Sequence, residues 1–438
     1  MTYISPMLGR LMGTAPSPVQ AMFAPAVGQG KAAFPAIFRT TGEGASRSLM
    51  AELESSFGVV GQSIPRFRMV NSWATPDVIR AVQSDEEVTH MWFDLPIQVP
   101  ELEGTAEAAF TDGGPFGFGV VDRFGRASQF IQGMGRPGNR TRADAKWWPT
   151  SESRKVLECD KAEADGWTGR GVLCAAIGSD HGPSATMHPQ LAGRATGYRA
   201  RMAPALNSCG HEGHVSTTMA GAEVKLPNGL TVKGMAPQAR VALIKCLYTP
   251  GGRGPTSDII RAYAQALELG CKVINMSLGG EPQGPASDDP LCMMVDETPD
   301  DVLVFVPSGN TSTMVLSPGI SPTAITVGAI GKTGEVSAFS GRGPEVDCVA
   351  PGEQIYSGLP AFSVMDILGG LGLWGYAPAD GTSMSCPHAA GEGALLYESA
   401  LCRSRMGFKS VLEARGEAKT ESRGRGIPLY TMFKEASA

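Results

Sequence analysis

The chain has 438 residues, a 42% apolar fraction and a formal charge of −6, from 37 Lys plus Arg against 43 Asp plus Glu. That length predicts one large domain with a smaller companion, and the mild acidity without a basic stripe excludes a general nucleic-acid or membrane-surface binder. The nine cysteines are odd in number and form no CxxC pair, which disfavours a disulfide framework and a zinc site.

Residues 1–32, rich in Ala, Pro, Gly and Met, read as a flexible N-terminal arm. They lack a basic start, and Pro6, Arg10, Pro16 and Pro18 interrupt any apolar core, so no signal peptide is recognised. No run is long enough to span a bilayer. The expectation is a cytoplasmic protein, or one exported without a recognisable signal peptide.

Residues 33–99 alternate β-α-β-α-β. A strand is predicted over 33–40. A helix follows over 46–59, with Leu49, Met50, Leu53 and Phe57 on one face. A strand is predicted over Ile64–Trp73, then a helix with Thr75 as N-cap and Pro76 at its first position, then a strand over 88–99. This is a small α+β unit. Residues 100–150 are Gly-rich and polar, and read as a linker with a processing site.

From 151 to 438 short apolar runs alternate with helical segments. Buried strands are predicted over 171–178, 239–247, 271–280, 301–310 and 324–330. Ser257 as N-cap and Gly270 as stop bound a helix over 257–270, and a long helix is predicted over 383–402. Cys174, Cys246 and Cys271 lie in or beside these apolar runs and read as core residues. The fold class is α/β, a doubly wound and mostly parallel sheet with helices on both faces. Such sheets bind ligands at the carboxyl ends of their strands.

Three polar clusters follow or flank those strands: Gly178-Ser-Asp-His-Gly182, Gly210-His-Glu-Gly-His-Val215 and Gly381-Thr-Ser-Met-Ser-Cys-Pro-His-Ala-Ala-Gly391. Acyl transfer from a hydroxyl nucleophile needs a base and an orienting carboxylate. The order Asp, His, Ser, with these local motifs, resembles the subtilisin-like serine proteases, the subtilases. HEGHV (211–215) is similar to the family's HGTHV. GMAPQARVALIKCL (234–247), SDIIRAYAQALELGCKVINMSLGG (257–280), PSGN (307–310) and FSGRGPEVDCVAPG (339–352) resemble further family segments, and GTSMSCPHAAG resembles GTSMA-PH-AG.

The resemblance implies Ser383 as nucleophile, His211 as general base and Asp180 as the orienting acid. It implies Asn310 as the oxyanion donor. Counted from Gly171-Val172, the family's aspartate falls on Gly178, whereas Asp180-His181-Gly182 keeps its D-x-G form. The alternative is that the carboxylate is missing. Glu212 stands where the family has Gly, and is expected to face solvent or the cleft; an approach to His211 would raise that histidine's pKa. Ser385, Cys386 and His388 are expected to pack around the nucleophile. His214 matches a non-catalytic histidine, although spacing alone would also allow a metal pair.

An extended peptide substrate is expected to add as a strand along Ser277-Leu278-Gly279-Gly280 and the loop containing Gly252. Leu278, Pro307, Ser308 and Gly309 would line the main specificity pocket. The first small unit resembles the family's inhibitory propeptide, which implies a zymogen with its own propeptide as intramolecular inhibitor. No cofactor is required for the chemistry, and the sequence names no calcium site, although structural calcium is common in the family. Two further readings remain: a subtilase-fold peptide transferase or macrocyclase, prompted by the apolar insertion 359–380, and a catalytically impaired binding protein, prompted by the altered aspartate region.

Overall fold

The computed structural model describes residues 2–5, 33–98, 147–180, 182–200, 209–248, 252–360 and 375–437. Most of the arm 1–32, nearly all of the linker 100–150, His181, and 361–374 of the apolar insertion lie outside the described residues.

The first unit is a five-stranded sheet backed by two helices. Its strands are β1 (Tyr3–Ile4), β2 (Phe34–Thr40), β3 (Gln62–Ile64), β4 (Met69–Ala74) and β5 (Val88–Phe93), in the order β1-β5-β2-β4-β3. Helix α1 (Glu43–Phe57) buries Leu49 and Leu53. Helix α2 (Pro76–Gln83) starts as its sequence predicts, with Thr75 accepting the Val78 N–H and Pro76 in the first turn. The Ile64–Trp73 segment is two strands joined by a turn of 3-10 helix at Pro65–Phe67, because Pro65 has no N–H to offer a ladder. The expected strand 88–99 breaks into β5 and β6 (Pro96–Gln98). The start of the N-terminal arm is not loose: β1 runs parallel to β5.

The second unit is a seven-stranded, all-parallel sheet. Its strands are β7 (Leu173–Gly178), β8 (Ala195–Arg199), β9 (Arg240–Lys245), β11 (Val273–Asn275), β12 (Leu303–Pro307), β13 (Ile325–Ile330) and β14 (Cys348–Pro351), in the order β14-β13-β12-β11-β7-β9-β8. Most are continuous apolar runs because both faces are covered. Around the sheet lie helices α3 (His211–Ala220), α4 (Thr256–Glu268), α5 (Thr382–Glu398) and α6 (Arg405–Arg415). The hydrophobic layer containing Ile177, Ile244, Ile260, Tyr263 and Ile274 also takes in Ile37, Phe67, Met69, Trp92 and Ile97 of the first unit. The two units therefore share this layer, while the first unit keeps a core of its own around Phe38, Leu53 and Ile79. No helix of the described residues is long and apolar enough to cross a membrane.

Two expectations about this unit change. Trp148–Pro149 already pairs with Ile355–Gly358, so the second unit begins upstream of 151. Ser257 is not the N-cap of α4. The helix starts after Pro255, and the acceptor for the Ser257 N–H is Asp94 of the first unit. All nine cysteines are buried and unbridged.

Candidate active site

Ser383 sits in the first turn of α5, where unpaired N–H groups and the positive end of the macrodipole favour developing negative charge. The helix can begin there because Gly381 takes φ 149°, a conformation that disfavours a side chain. Ser383 Oγ donates to the Ser277 carbonyl at 3.4 Å, and Ser277 Oγ donates to the Ser383 carbonyl at 3.0 Å. Asn275 Nδ2 donates to Ser277 Oγ at 2.9 Å, tying the end of β11 to the nucleophile's backbone.

Asn310 follows β12. Its Oδ1 accepts both the backbone N–H and the hydroxyl of Thr382, each at 2.9 Å. With the oxygen end held, the amide's donor end is defined beside the start of α5.

His211 opens α3 and is buried. Its Nδ1 lies 3.2 Å from Glu212 Oε2, and with Glu212 ionised Nδ1 is the donor. Glu212 does not face solvent or the cleft as expected; it is fully buried. Its Oε2 also accepts the Ser179 N–H at 3.0 Å. Burial pushes its carboxyl up, the neighbouring His211 opposes that shift, and Asp180 adds to it.

Asp180 lies at the opening of α3, on the backbone to either side of His211. Its Oδ1 accepts the Gly210 N–H at 3.4 Å and its Oδ2 the Gly213 N–H at 3.0 Å. It thus satisfies the amino end of α3, whose N-cap Gly210 has no side chain to do so. The strand ends at Gly178, two residues before Asp180. At Gly178 a Cβ would fall 1.7 Å from Glu212 Oε2. The Glu212 carboxylate therefore occupies the space into which a side chain at 178 would project.

The other reactive side chains of the motifs are packing groups. His388 Nδ1 donates to the Met384 carbonyl at 2.7 Å, and its Nε2 is 2.7 Å from Ser153 Oγ; burial pushes its pKa down to about 4. His214 Nε2 donates to the Ile355 and Ala377 carbonyls at 3.0 and 3.1 Å. Ser385 Oγ donates to the Thr382 carbonyl at 2.8 Å, and burial pushes the Cys386 thiol up. No group of three His, Cys, Asp or Glu among the described residues is arranged to hold a metal ion.

Strand β6 pairs antiparallel with β10 (Arg253–Pro255), Ile97 opposite Gly254. A Cβ on Gly280 would fall 2.5 Å from Ile97 Cδ1, so the glycine makes room for that side chain. Leu278 and Ser308 are buried, Pro307 ends β12, and Gly309 takes φ 96°. One detail departs from the expected strand addition: both the N–H and the carbonyl of Gly280 are bonded to Ser317, at 3.0 and 2.9 Å. Gly252 precedes β10 and is buried.

The profile of the subtilase family matches residues 187–406, which include His211, Asn310 and Ser383. The subtilisin of Bacillus pumilus is 34% identical over 249 residues, covering 55% of this chain and 82% of that protein. The chain belongs to the subtilase family. Among other subtilases, Subtilisin E of Bacillus subtilis (strain 168) is 35% identical over the same length, covering 55% of this chain and 59% of that protein. The chain thus spans somewhat over half the length of several subtilisins that it matches. Fervidolysin of Fervidobacterium pennivorans, described as a keratinolytic enzyme related to subtilisin, shares the fold: TM-score 0.65 at 18% identity, over 94% of this chain and 62% of that one.

Proposed function

We propose that this subtilase is a serine endopeptidase made as a precursor, whose N-terminal unit is its own inhibitor. The observation that carries the reading is β6 laid antiparallel on β10, with Ile97 against Gly280. A peptide held by strand addition lies along the segment whose Ser277 carbonyl accepts from Ser383 Oγ.

In this reading Ser383 Oγ attacks the carbonyl carbon of a peptide or protein substrate and its proton passes to His211. The resulting oxyanion is held by the Asn310 amide and the Ser383 N–H, at the positive end of α5. Collapse breaks the C–N bond, and the amine leaves with the proton from His211. Water then repeats the sequence on the acyl-enzyme, releasing the acid and restoring Ser383. The altered Gly280 pairing supports a cleft in which an incoming strand relies on the β10 side for its backbone bonds.

The test is the mass and N-terminal sequence of the purified full chain and of its Ser383→Ala form, with fluorophosphonate labelling of both. Wild-type protein is expected to be cut after the first unit and labelled. Ser383→Ala is expected to stay whole and unlabelled. Identical products from the two chains, with no label on either, would end the reading.

A further inference from the structure

The geometry points to Glu212, rather than Asp180 or any strand residue, as the carboxylate that positions His211 during catalysis. The inference rests on the protease reading above and adds a residue to it.

Four observations converge. His211 Nδ1 is within hydrogen-bond distance of Glu212 Oε2, at 3.2 Å. That oxygen is fixed by the Ser179 N–H, so the carboxylate is oriented by backbone. The end of β7 offers no acid of its own, since Gly178 stands there and its missing side chain leaves the space that the Glu212 carboxylate fills. Asp180 is already engaged by two backbone N–H groups at the amino end of α3. The two departures in this stretch, a glycine at the strand end and a glutamate after the histidine, are therefore complementary. The acid has moved from the strand to the helix while its carboxylate stays on the same imidazole nitrogen.

Such a carboxylate keeps Nδ1 protonated, so that Nε2 is the basic nitrogen, and it stabilises the imidazolium formed when the Ser383 proton arrives. Among the described residues, the titratable groups near the pair are Asp180 after β7, Cys246 after β9, Cys209 before α3 and Cys386 on α5, with Lys245 at the end of β9 beside Asp180. Burial pushes all three thiols up, so they remain uncharged at neutral pH. Among the described residues, Asp180 acts on Glu212 beside His211, and Lys245 in turn acts with Asp180.

The experiment compares full chains carrying Glu212→Gln, Asp180→Asn and the double change Gly178→Asp with Glu212→Gly, using a peptide p-nitroanilide. Glu212→Gln is expected to lower kcat by about 10³–10⁴-fold with KM within about threefold, by analogy with amide replacement of a triad acid. It also removes the charge that favours the imidazolium, so the acid limb of kcat/KM moves to lower pH. Asp180→Asn is expected to cost less than about tenfold in kcat and to show mainly as a lower Tm. The double change returns an acid from the strand into the vacated space and is expected to recover at least about tenfold over Glu212→Gln.

Wild-type protein that neither hydrolyses nor labels would sink the protease reading itself. Active wild type with Glu212→Gln within about fivefold of it and an unmoved acid limb would overturn the assignment alone, as would a 10³-fold loss in Asp180→Asn. Should the variants fail to fold, the nuclear Overhauser contact of the His211 Nδ1 proton in Ser383→Ala decides. A contact to the Glu212 γ-methylene supports the assignment, and one to the Asp180 β-methylene overturns it.

Discussion

Ser257 engages both carboxylate oxygens of Asp94, its N–H donating to Oδ1 at 2.8 Å and its hydroxyl to Oδ2 at 2.6 Å. This joins the end of the first unit to the first turn of α4 in the second. Burial pushes the Asp94 carboxyl up to about 6, with the Ser257 bonds opposing the shift and Asp258 adding to it. Freed into water, the same group returns to about 3.9. Because the docked value is the higher one, the contribution of Asp94 to docking is full below about pH 4 and falls as pH rises to about 6. If the N-terminal unit is cut off as proposed, its release is therefore expected to speed up over that window. Gel filtration of the processed chain across pH 4–7 checks it, and Asp94→Asn should flatten the response.

Gly178→Ala is expected to affect activity and stability together. The added methyl meets a buried Glu212 carboxylate that is bonded to the Ser179 N–H, so displacing that group costs the fold about 1–3 kcal/mol as well as moving the acid. Expected outcome: at least a hundredfold loss of kcat/KM with a lower Tm, read by kinetics and thermal unfolding on the same sample.

Asn310 and Thr382 act as a pair in this arrangement. Asn310→Ala should lower kcat by about 10²–10³-fold with little change in KM, as loss of an oxyanion donor does. Thr382→Val removes one of the two donors on Asn310 Oδ1, leaving the backbone one, and should cost about tenfold. Steady-state kinetics on the two single variants and their double would show the effects to be non-additive.

Glu392 lies fully buried in α5 with neither carboxylate oxygen hydrogen-bonded. Burial pushes its carboxyl well up, and Glu158 adds to this. The unfolded chain ionises this group above about pH 4.3, so it lowers stability progressively as pH rises from there. Glu392→Met is expected to raise stability by about 2 kcal/mol or more at pH 8 and by less at pH 4. Urea unfolding at the two pH values tests the sign.

The fold was legible where its physics is local or periodic. The apolar strands after 171, the capping of α2 by Thr75 and the stop at Gly270, which takes φ 77°, needed only neighbouring residues. What the sequence concealed runs across chain distance. Ser257 looks like a cap because nothing nearby shows that Asp94 supplies the acceptor. Asp180-His-Gly is legible as a local pattern, whereas the Glu212 carboxylate beside Gly178 belongs to three dimensions. The signal was present as two separate oddities, an acid absent at 178 and one gained at 212, and only folding joins them. The shortened Pro96–Gln98 strand and its pairing with Arg253–Pro255 were likewise beyond any periodicity.

His211 and Glu212 are consecutive residues, so their contact is inherited from a single peptide unit at the mouth of α3. An acid on β7 would be joined to its histidine only through the intervening polypeptide, and any nick, insertion or permutation there would put the partnership at risk. Here the base and the carboxylate on it form a dipeptide cassette. A backbone cut anywhere before Gly210 leaves the two residues joined by their own peptide bond.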